Sequence, residues 1–202
     1  MKSSMSESSI DSAVAKPLAQ PAQKSQRCVA IIDIGATAIR MAIAEIHEGG
    51  KVRTLDQLVQ TVQLGQEAFE TRRLSRKSIE RVVSVLVQYQ RVLREYGIDN
   101  ASDVRVVATS AVREAGNRLA LADRVFTATG LHVQAIDEAE VNRITYMGIT
   151  PQLLSHPELA NGKAMVLEVG GGSTEVLIVR RGNVLASISF RLGSLRMLQA
   201  VD

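Results

Sequence analysis

The chain has 202 residues, enough for one domain or two small ones, and its 46% hydrophobic and 22% charged residues are typical of a soluble globular protein. The net charge is only +3 and aromatic residues make up 3%, which argues against base stacking and against sequence-independent nucleic-acid binding, so no DNA partner is expected. No apolar run approaches the roughly 20 residues of a membrane span, so no membrane partner is expected either. Eighteen of the 24 basic residues are arginines, which suit forked contacts to phosphate.

The N-terminal segment and the single cysteine indicate a cytoplasmic protein. Residues 1–26 contain seven serines and two prolines, and they lack the apolar segment of a signal peptide, so a disordered tail is predicted there. Cys28 has no partner for an internal disulfide and adjoins an apolar strand. It is therefore predicted to be a small core residue in a reducing compartment.

Three strands are predicted to open the ordered part of the chain as an antiparallel meander; they cover residues 29–34, 39–46 and 52–62. A helix follows, with apolar residues at spacings of three and four over residues 79–96, an N-cap at Ser75 or Ser78, and Gly97 at its end. The next predicted elements are a strand at 104–108, a helix at 112–129, a strand at 131–136 and a helix at 138–149.

Residues 151–162 contain two prolines and are predicted to be a linker. The remaining predicted elements are strands at 165–169, 176–179 and 184–190 and a helix that starts at Ser194. The order β-β-β-α-β-α-β-α, followed by β-β-β-α, predicts an α/β fold. The predicted organisation is a tail at 1–26, a first domain at 27–150 and the start of a second domain at 151–202.

Two segments of the chain repeat with a constant offset of 135 residues, the distance from residue 31 to residue 166. Residues 31–35 (Ile-Ile-Asp-Ile-Gly) align with residues 166–170 (Val-Leu-Glu-Val-Gly). Each segment is an apolar strand that ends in an acid, an aliphatic residue and a glycine, followed by small residues and another apolar strand. The repeat predicts two related units, each beginning with a β-hairpin whose tip is made of small residues.

Hairpin tips of this kind suit a phosphate ligand. Without bulky side chains the backbone can approach the ligand closely, and successive N–H groups form a nest for an anion. The acid at the end of the preceding strand, Asp33 or Glu168, can bind a divalent cation directly or through water. Two such tips facing each other would hold a phosphate chain and its metal ion. Each tip taken alone is also explained as an ordinary tight hairpin that needs glycine.

Through four motifs the sequence resembles the exopolyphosphatase/guanosine pentaphosphate phosphohydrolase (Ppx/GppA) family. This family is part of the actin-like, ribonuclease H-like superfamily. The motifs are Asp33-Ile34-Gly35, the run from Ala108 to Asn117, Glu140 with the run from Arg143 to Gly148, and the run from Gly170 to Glu175. The resemblance extends from Val29 to about Met197. It implies an actin-like α/β domain followed by the opening β-hairpin of a second, truncated copy.

The resemblance also implies an activity, namely hydrolysis of the terminal phosphoanhydride of polyphosphate or of pppGpp with Mg²⁺ as cofactor. Polyphosphate or a guanosine polyphosphate is then the expected partner. Arg113 would bind a substrate phosphate, and Glu175 would help to hold the metal ion or the attacking water. The remaining implied ligands of phosphate are Gly35, Thr37, Gly170, Gly171, Gly172, Ser173 and Thr174, and those of the metal ion are Asp33 and Glu168.

The chain departs from the family pattern at three places. In the family, two adjacent acids precede a small residue and an arginine, and the second acid is the general base; aligned on Arg143, these positions are Glu140 and Val141. The acid before the second tip is usually Asp, whereas Glu168 stands here. The first tip usually reads Gly-Ser-Asn-Ser, whereas residues 35–38 read Gly-Ala-Thr-Ala.

Three functional hypotheses remain open after these departures. The first is a hydrolase, slow because a general base contributes roughly 10²–10⁴-fold, that uses Glu140 or Glu138 as the base, with Asp137 nearby. The second is a non-catalytic sensor that binds polyphosphate or (p)ppGpp. The third is a fragment with neither property, since the second unit ends soon after Leu198 unless something else completes it. A homodimer is expected only if a longer chain exists.

Overall fold

The computed structural model describes residues 27–201, so the tail predicted for residues 1–26 lies outside the described residues. The strands are β1 (Arg27–Ile34), β2 (Ala38–Ile46), β3 (Val52–Thr61), β4 (Val104–Ala108), β5 (Val133–Ala135), β6 (Lys163–Val169), β7 (Thr174–Arg180) and β8 (Asn183–Phe190). The helices are α1 (Leu64–Thr71), α2 (Arg76–Glu95), α3 (Ser110–Glu114), α4 (Arg118–Thr129), α5 (Glu138–Ser155), α6 (Pro157–Asn161) and α7 (Ser194–Val201).

The first sheet has five strands in the order β3-β2-β1-β4-β5. The predicted antiparallel meander is confirmed for β1, β2 and β3, while β4 and β5 run parallel to β1. Because the carboxyl ends of β1 and β4 lie side by side, the Thr109 N–H donates to the Ile34 carbonyl at 3.2 Å. The segments that follow these two strands, 35–37 and 109–113, therefore meet at one edge of the sheet.

Helix α2 covers one face of this sheet with the apolar stripe that the sequence predicts. Its N-cap is Ser75, whose side chain accepts a hydrogen bond from the Ser78 N–H. The buried Tyr89 hydroxyl donates to the Ile39 carbonyl at 2.9 Å, which ties the helix to β2. Cys28 is half-buried and packs against the same core.

Three helical segments differ from the sequence-based prediction. The helix predicted at 112–129 is two helices, α3 and α4, because Asn117 leaves the helical path and its side chain pairs with both the N–H and the carbonyl of Leu74. The predicted linker at 151–162 is helical, with Pro151 inside α5 and a proline at the start of α6. Helix α1 was not predicted, since its N-cap residue Gln63 makes no side-chain capping bond.

The second sheet has three antiparallel strands in the order β6-β7-β8. On one of its faces, the cross-strand pairs place apolar residues in rows, such as Leu167 opposite Val176 opposite Ile188. Helix α5 lies against the other face, where the Tyr146 hydroxyl donates to the Gly182 carbonyl. In the described part of the chain, 27–201, every helix is too short or too polar to cross a bilayer.

Candidate active site

Two tight turns form the base of the site, and both close with the same hydrogen bond. In the turn between β1 and β2, the Gly35 N–H donates to the Ala38 carbonyl at 3.0 Å. In the turn between β6 and β7, the Gly170 N–H donates to the Ser173 carbonyl at 2.9 Å. The acid of each hairpin sits two residues before its glycine, Asp33 opposite Arg40 and Glu168 opposite Glu175.

The tips of the two turns touch each other. A Cβ atom built on Gly171 would lie 3.1 Å from the Ala36 Cβ, and these are corresponding positions of the two turns. Between and above the tips lies a cleft of about 500 Å³. Its lining residues are Asp33, Gly35, Ala36, Thr37, Arg40, Thr109, Ser110, Arg113, Val141, Glu168, Val169, Gly170, Gly171, Ser173, Glu175 and Ser194.

The second turn, residues 170–173, is held from behind by the start of α7. The carbonyl of Gly170 accepts from the Ser194 N–H at 2.9 Å, and that of Gly171 accepts from the Leu195 N–H at 3.0 Å. The carbonyl of Gly172 accepts from the Arg196 side chain at 2.7 Å. Within residues 27–201 the N–H groups of residues 171–173 meet no acceptor, and those of Gly171 and Ser173, which line the cleft, are available to an anion.

Arginine side chains supply positive charge to the cleft. Arg113, on the short helix α3, is mostly buried, and its guanidinium donates to the Ile136 carbonyl at 3.1 Å. Glu138 lies 3.6 Å from the same guanidinium. Arg40 reaches the cleft from β2, 3.9 Å from Asp33. Two guanidinium groups at one cleft favour an anionic ligand with several phosphate groups.

Three carboxylates face the cleft, and each has a different environment. Glu175 is buried and accepts from the Ser173 and Ser189 hydroxyls at 2.7 and 3.2 Å. Glu168 accepts from the Thr145 hydroxyl of α5 at 2.5 Å. Burial raises the pKa of Asp33, with the charge of Arg40 opposing this shift and that of Glu168 adding to it.

Asp33 and Glu168 fit a magnesium ion. One oxygen of Asp33 is buried without a hydrogen-bond partner, as expected of an oxygen that a cation would satisfy. No cluster of three or more His, Cys, Asp or Glu side chains with metal-binding geometry occurs among residues 27–201. Mg²⁺ nevertheless needs only one or two carboxylates, because substrate phosphates and water complete its octahedron.

The structure separates Val141 from the acids beside it. Val141 lines the cleft, whereas Glu140 lies outside it and pairs with Arg143 through two hydrogen bonds of 2.7 and 2.8 Å. The Arg143 hydrogen bonds lower the pKa of Glu140, which keeps this carboxylate charged and facing away from the cleft. Asp137 is the N-cap of α5 and accepts from the Glu140 N–H.

The other expected phosphate ligands divide into two groups. Gly35, Thr37, Gly170, Gly171 and Ser173 line the cleft. Two do not line it and support the turn from behind. A Cβ on Gly172 would lie 2.2 Å from Phe69 and 2.6 Å from the Ser110 hydroxyl, and the Thr174 hydroxyl donates to the Leu192 carbonyl.

Four polar lining residues were not among the candidate site residues from the sequence: Arg40, Thr109, Ser110 and Ser194. Thr109 and Ser110 belong to the motif that starts at Ala108, and their position between β4 and Arg113 could have indicated that they lie at the site. Arg40 is opposite Asp33 in the hairpin register, and the repeat aligns it with Glu175, which was a candidate site residue. Ser194 gave a weaker signal, because only the fold brings the start of α7 to the second turn.

Comparisons with known proteins identify the family of the chain. A model of the Ppx/GppA phosphatase family matches residues 42–201. The chain is 32% identical over 179 residues to Exopolyphosphatase 2 of Mycobacterium tuberculosis, covering 85% of this chain and 54% of that protein. It is 26% identical over 170 residues to the guanosine-5'-triphosphate,3'-diphosphate pyrophosphatase of Aliivibrio fischeri, covering 84% of this chain and 32% of that protein.

Solved structures extend the agreement to the fold. The Ppx/GppA family member of Aquifex aeolicus superposes with a TM-score of 0.69 at 30% identity, covering 87% of this chain and 54% of that one. An exopolyphosphatase from Cytophaga hutchinsonii superposes with a TM-score of 0.76 at 24% identity, covering 86% and 53%, and shows the same fold. The chain thus spans about half the length of these structures. By its family match and by this likeness, the chain belongs to the Ppx/GppA phosphatase family.

Proposed function

We propose that the cleft binds the phosphate chain of polyphosphate or of a guanosine polyphosphate and slowly hydrolyses its terminal phosphoanhydride. The observation that carries this proposal is that the N–H groups of Gly171 and Ser173, which line the cleft together with Arg113 and Arg40, meet no acceptor among residues 27–201. The relatives named an exopolyphosphatase and a guanosine-5'-triphosphate,3'-diphosphate pyrophosphatase support the choice of phosphate chain as ligand.

The residues of the cleft suit phosphoryl transfer to water, in which positioning and charge neutralisation contribute most of the catalysis. The turn amides and Arg113 would hold the non-bridging oxygens of the terminal phosphate. A water oxygen then attacks the terminal phosphorus, the bond to the bridging oxygen breaks, and inorganic phosphate leaves. Asp33 and Glu168 would hold Mg²⁺, which neutralises phosphate charge when it is bound.

The slow rate follows from the position of Val141. A positioned general base contributes roughly 10²–10⁴-fold, and valine cannot accept a proton from the attacking water. Glu140 would reach the cleft only after leaving its two hydrogen bonds to Arg143. Glu138 is closer to the phosphate site, since it lies 3.6 Å from Arg113, and it is the better candidate of the two.

A second candidate function is phosphate-chain binding without hydrolysis. The observation that favours it is the apolar Val141 side chain in the cleft, at the position where the family resemblance places the base. The turn amides and the arginines would then act as a sensor for polyphosphate or (p)ppGpp.

One experiment separates the two candidates. Phosphate release from long-chain polyphosphate and from pppGpp is measured with Mg²⁺ for the wild type, Val141→Glu and the matched control Val141→Gln, which has a similar shape but no basic oxygen pair. Slow wild-type turnover that rises by about 10²-fold or more only in Val141→Glu supports the hydrolase. A silent wild type with an active Val141→Glu supports the sensor. Silence of all three, without binding of either ligand, contradicts both.

We also propose that β6–β8 and α7 open a second unit equivalent to residues 27–150. The 135-residue offset, the shared turn closure and the opposed tips support this division. A cytoplasmic location and, for a longer chain, a homodimer remain predictions.

A further inference from the structure

Arg196 has three simultaneous contacts near the cleft without lining it. Its Nε donates to the Gly172 carbonyl at 2.7 Å, and its Nη2 donates to a carboxylate oxygen of Glu114 at 2.6 Å. Its guanidinium also stacks on the Phe69 ring, 4.0 Å from the centroid. A planar guanidinium can make these contacts at once, whereas an ammonium group cannot.

Glu114 is the other half of this arrangement. Its side chain is only 6% exposed, and it directly follows Arg113 at the end of α3. A buried carboxylate needs a charged partner, and Arg196 is the closer of the two arginines that face it; Arg191 lies 3.4 Å away and is mostly exposed. The Glu114–Arg196 pair therefore joins the helix of Arg113 to the turn of Gly172.

The Gly172 carbonyl is the last of three successive carbonyls that the start of α7 holds. Residues 194 and 195 hold the first two through their backbone N–H groups, which any residue except proline would supply. The Gly170 carbonyl accepts a further bond from the Ser194 hydroxyl at 3.3 Å, but the Gly172 carbonyl is the one that a side chain holds without a backbone N–H. The orientation of the peptide between Gly172 and Ser173, and with it the direction of the Ser173 N–H, thus depends on Arg196.

We propose that Arg196 and Glu114 form a positioning pair that fixes the 170–173 turn relative to Arg113, so that the turn amides and the Arg113 guanidinium reach one phosphate chain together. This positioning role rests on the proposed function, because it concerns the phosphate site of the same cleft. Neither residue touches the ligand; each acts through a neighbour, Arg196 through the Gly172 carbonyl and Glu114 through Arg196.

The test uses Arg196→Lys, which keeps the charge beside Glu114 but loses the forked geometry, and Glu114→Gln, which keeps an acceptor for Arg196. Arg191→Gln is the matched control, because Arg191 faces the same carboxylate without reaching the turn. Three quantities are measured on the full chain: Tm, the backbone amide shifts of residues 171–173, and the Kd for tripolyphosphate.

The pair is supported if Arg196→Lys keeps a Tm close to that of the wild type, shifts the amide signals of residues 172 and 173, and weakens tripolyphosphate binding by about tenfold, the effect of one charged hydrogen bond lost or misdirected. Arg191→Gln should change neither the amide signals nor the Kd. Glu114→Gln should shift the same signals as Arg196→Lys.

Two results would overturn the pair. If Arg196→Lys has the same amide shifts and the same Kd as the wild type, the turn does not depend on the forked guanidinium. Loss of cooperative unfolding in both Arg196→Lys and Glu114→Gln would show a purely structural role. If the wild type does not bind tripolyphosphate, the proposed phosphate site fails, while the amide shifts of the ligand-free variants still decide whether Arg196 orients the turn.

Discussion

The hairpins β1–β2 and β6–β7 have the same local geometry and very different surroundings. Both close with a glycine N–H to carbonyl bond of about 3 Å, and in both the second carbonyl of the tip is held by a following helix. The Gly65 N–H of α1 donates to Ala36, and the Leu195 N–H of α7 donates to Gly171. The Gly65 and Leu195 N–H groups thus make equivalent hydrogen bonds to the two turns.

The two sheets differ in what covers them. Ile32 of β1 is fully buried beneath α2, whereas Leu167, at the corresponding position of β6, is 57% exposed. Met165 and Val169 on the same face are also more than half exposed. The bond that closes each turn lies within four residues of sequence, whereas burial of a strand depends on an element distant in sequence.

The largest expected effect comes from alanine at residue 172 of the second tip, compared with alanine at the corresponding residue 37 of the first tip. Gly172→Ala should weaken tripolyphosphate binding by roughly 10- to 100-fold, because the new methyl group would overlap Phe69 and force the turn to move. Thr37→Ala, which removes one hydroxyl at the cleft without straining the turn, should weaken binding by less than about tenfold. Isothermal titration checks both, and equal effects would contradict the asymmetry of the tips.

The contact between Gly65 and Leu195 should show in the stability of the fold. A Cβ on Gly65 would lie 2.6 Å from the Leu195 side chain and 2.9 Å from the Ala36 Cβ, so Gly65→Ala should lower the free energy of unfolding by about 1–3 kcal/mol. Because a shorter residue at 195 removes one overlap, Leu195→Ala should partly offset this loss in the double variant. Urea unfolding measures the cycle, and strict additivity would mean that the two residues do not meet.

Neutralising Asp33 should have an effect on stability that depends on pH. Burial raises the pKa of Asp33, so its charged form costs stability once the pH is above that pKa. Asp33→Asn should therefore raise the free energy of unfolding at pH 7 without Mg²⁺, by less than about 1 kcal/mol since its side chain is 38% exposed. The gain should vanish as the pH falls below the unfolded pKa.

The change in Tm on adding Mg²⁺ with tripolyphosphate tests whether Asp33 and Glu168 hold the metal ion. Mg²⁺ with tripolyphosphate should raise the Tm of the wild type more than that of Asp33→Asn or of Glu168→Gln. An undiminished Mg²⁺ response in both variants would remove these carboxylates from the metal site.

The smallest expected effect lies in α1, at Glu67. Burial tends to raise the pKa of Glu67, but hydrogen bonds from Ser78 and Ser75 outweigh burial and lower it. Such a group stabilises the fold above its unfolded pKa and loses this effect as the pH falls through its folded pKa. Glu67→Gln should lower Tm slightly at pH 7 and not at pH 3, as thermal unfolding at both pH values would show.

The sequence predicts best those features that depend on neighbouring residues. The antiparallel meander, the Ser75 cap and the cleft position of Gly170, Gly171 and Ser173 follow from local patterns. The break at Asn117 was missed because its side chain bonds to Leu74, 43 residues away. Glu140 was chosen by its place beside Val141, yet one residue along a helix turns a side chain by about 100°, and Glu140 meets Arg143 on another face.

The role of Arg196 is also not predictable from a local pattern. Its significance depends on Gly172 and Glu114, which are distant in sequence, and nothing in the run from Ser194 onward distinguishes it from a surface arginine. Residues that act through a neighbour carry no motif of their own.

The amides of residues 171–173 have a kinetic signature that follows from their lack of acceptors. An N–H without a protein partner exchanges its hydrogen with solvent deuterium without waiting for unfolding, even between well-formed strands. These amides should exchange quickly in the empty cleft, against slow exchange at Val176 and Leu177 nearby in β7. A bound phosphate chain should slow them selectively, which makes hydrogen exchange a residue-by-residue record of cleft occupancy.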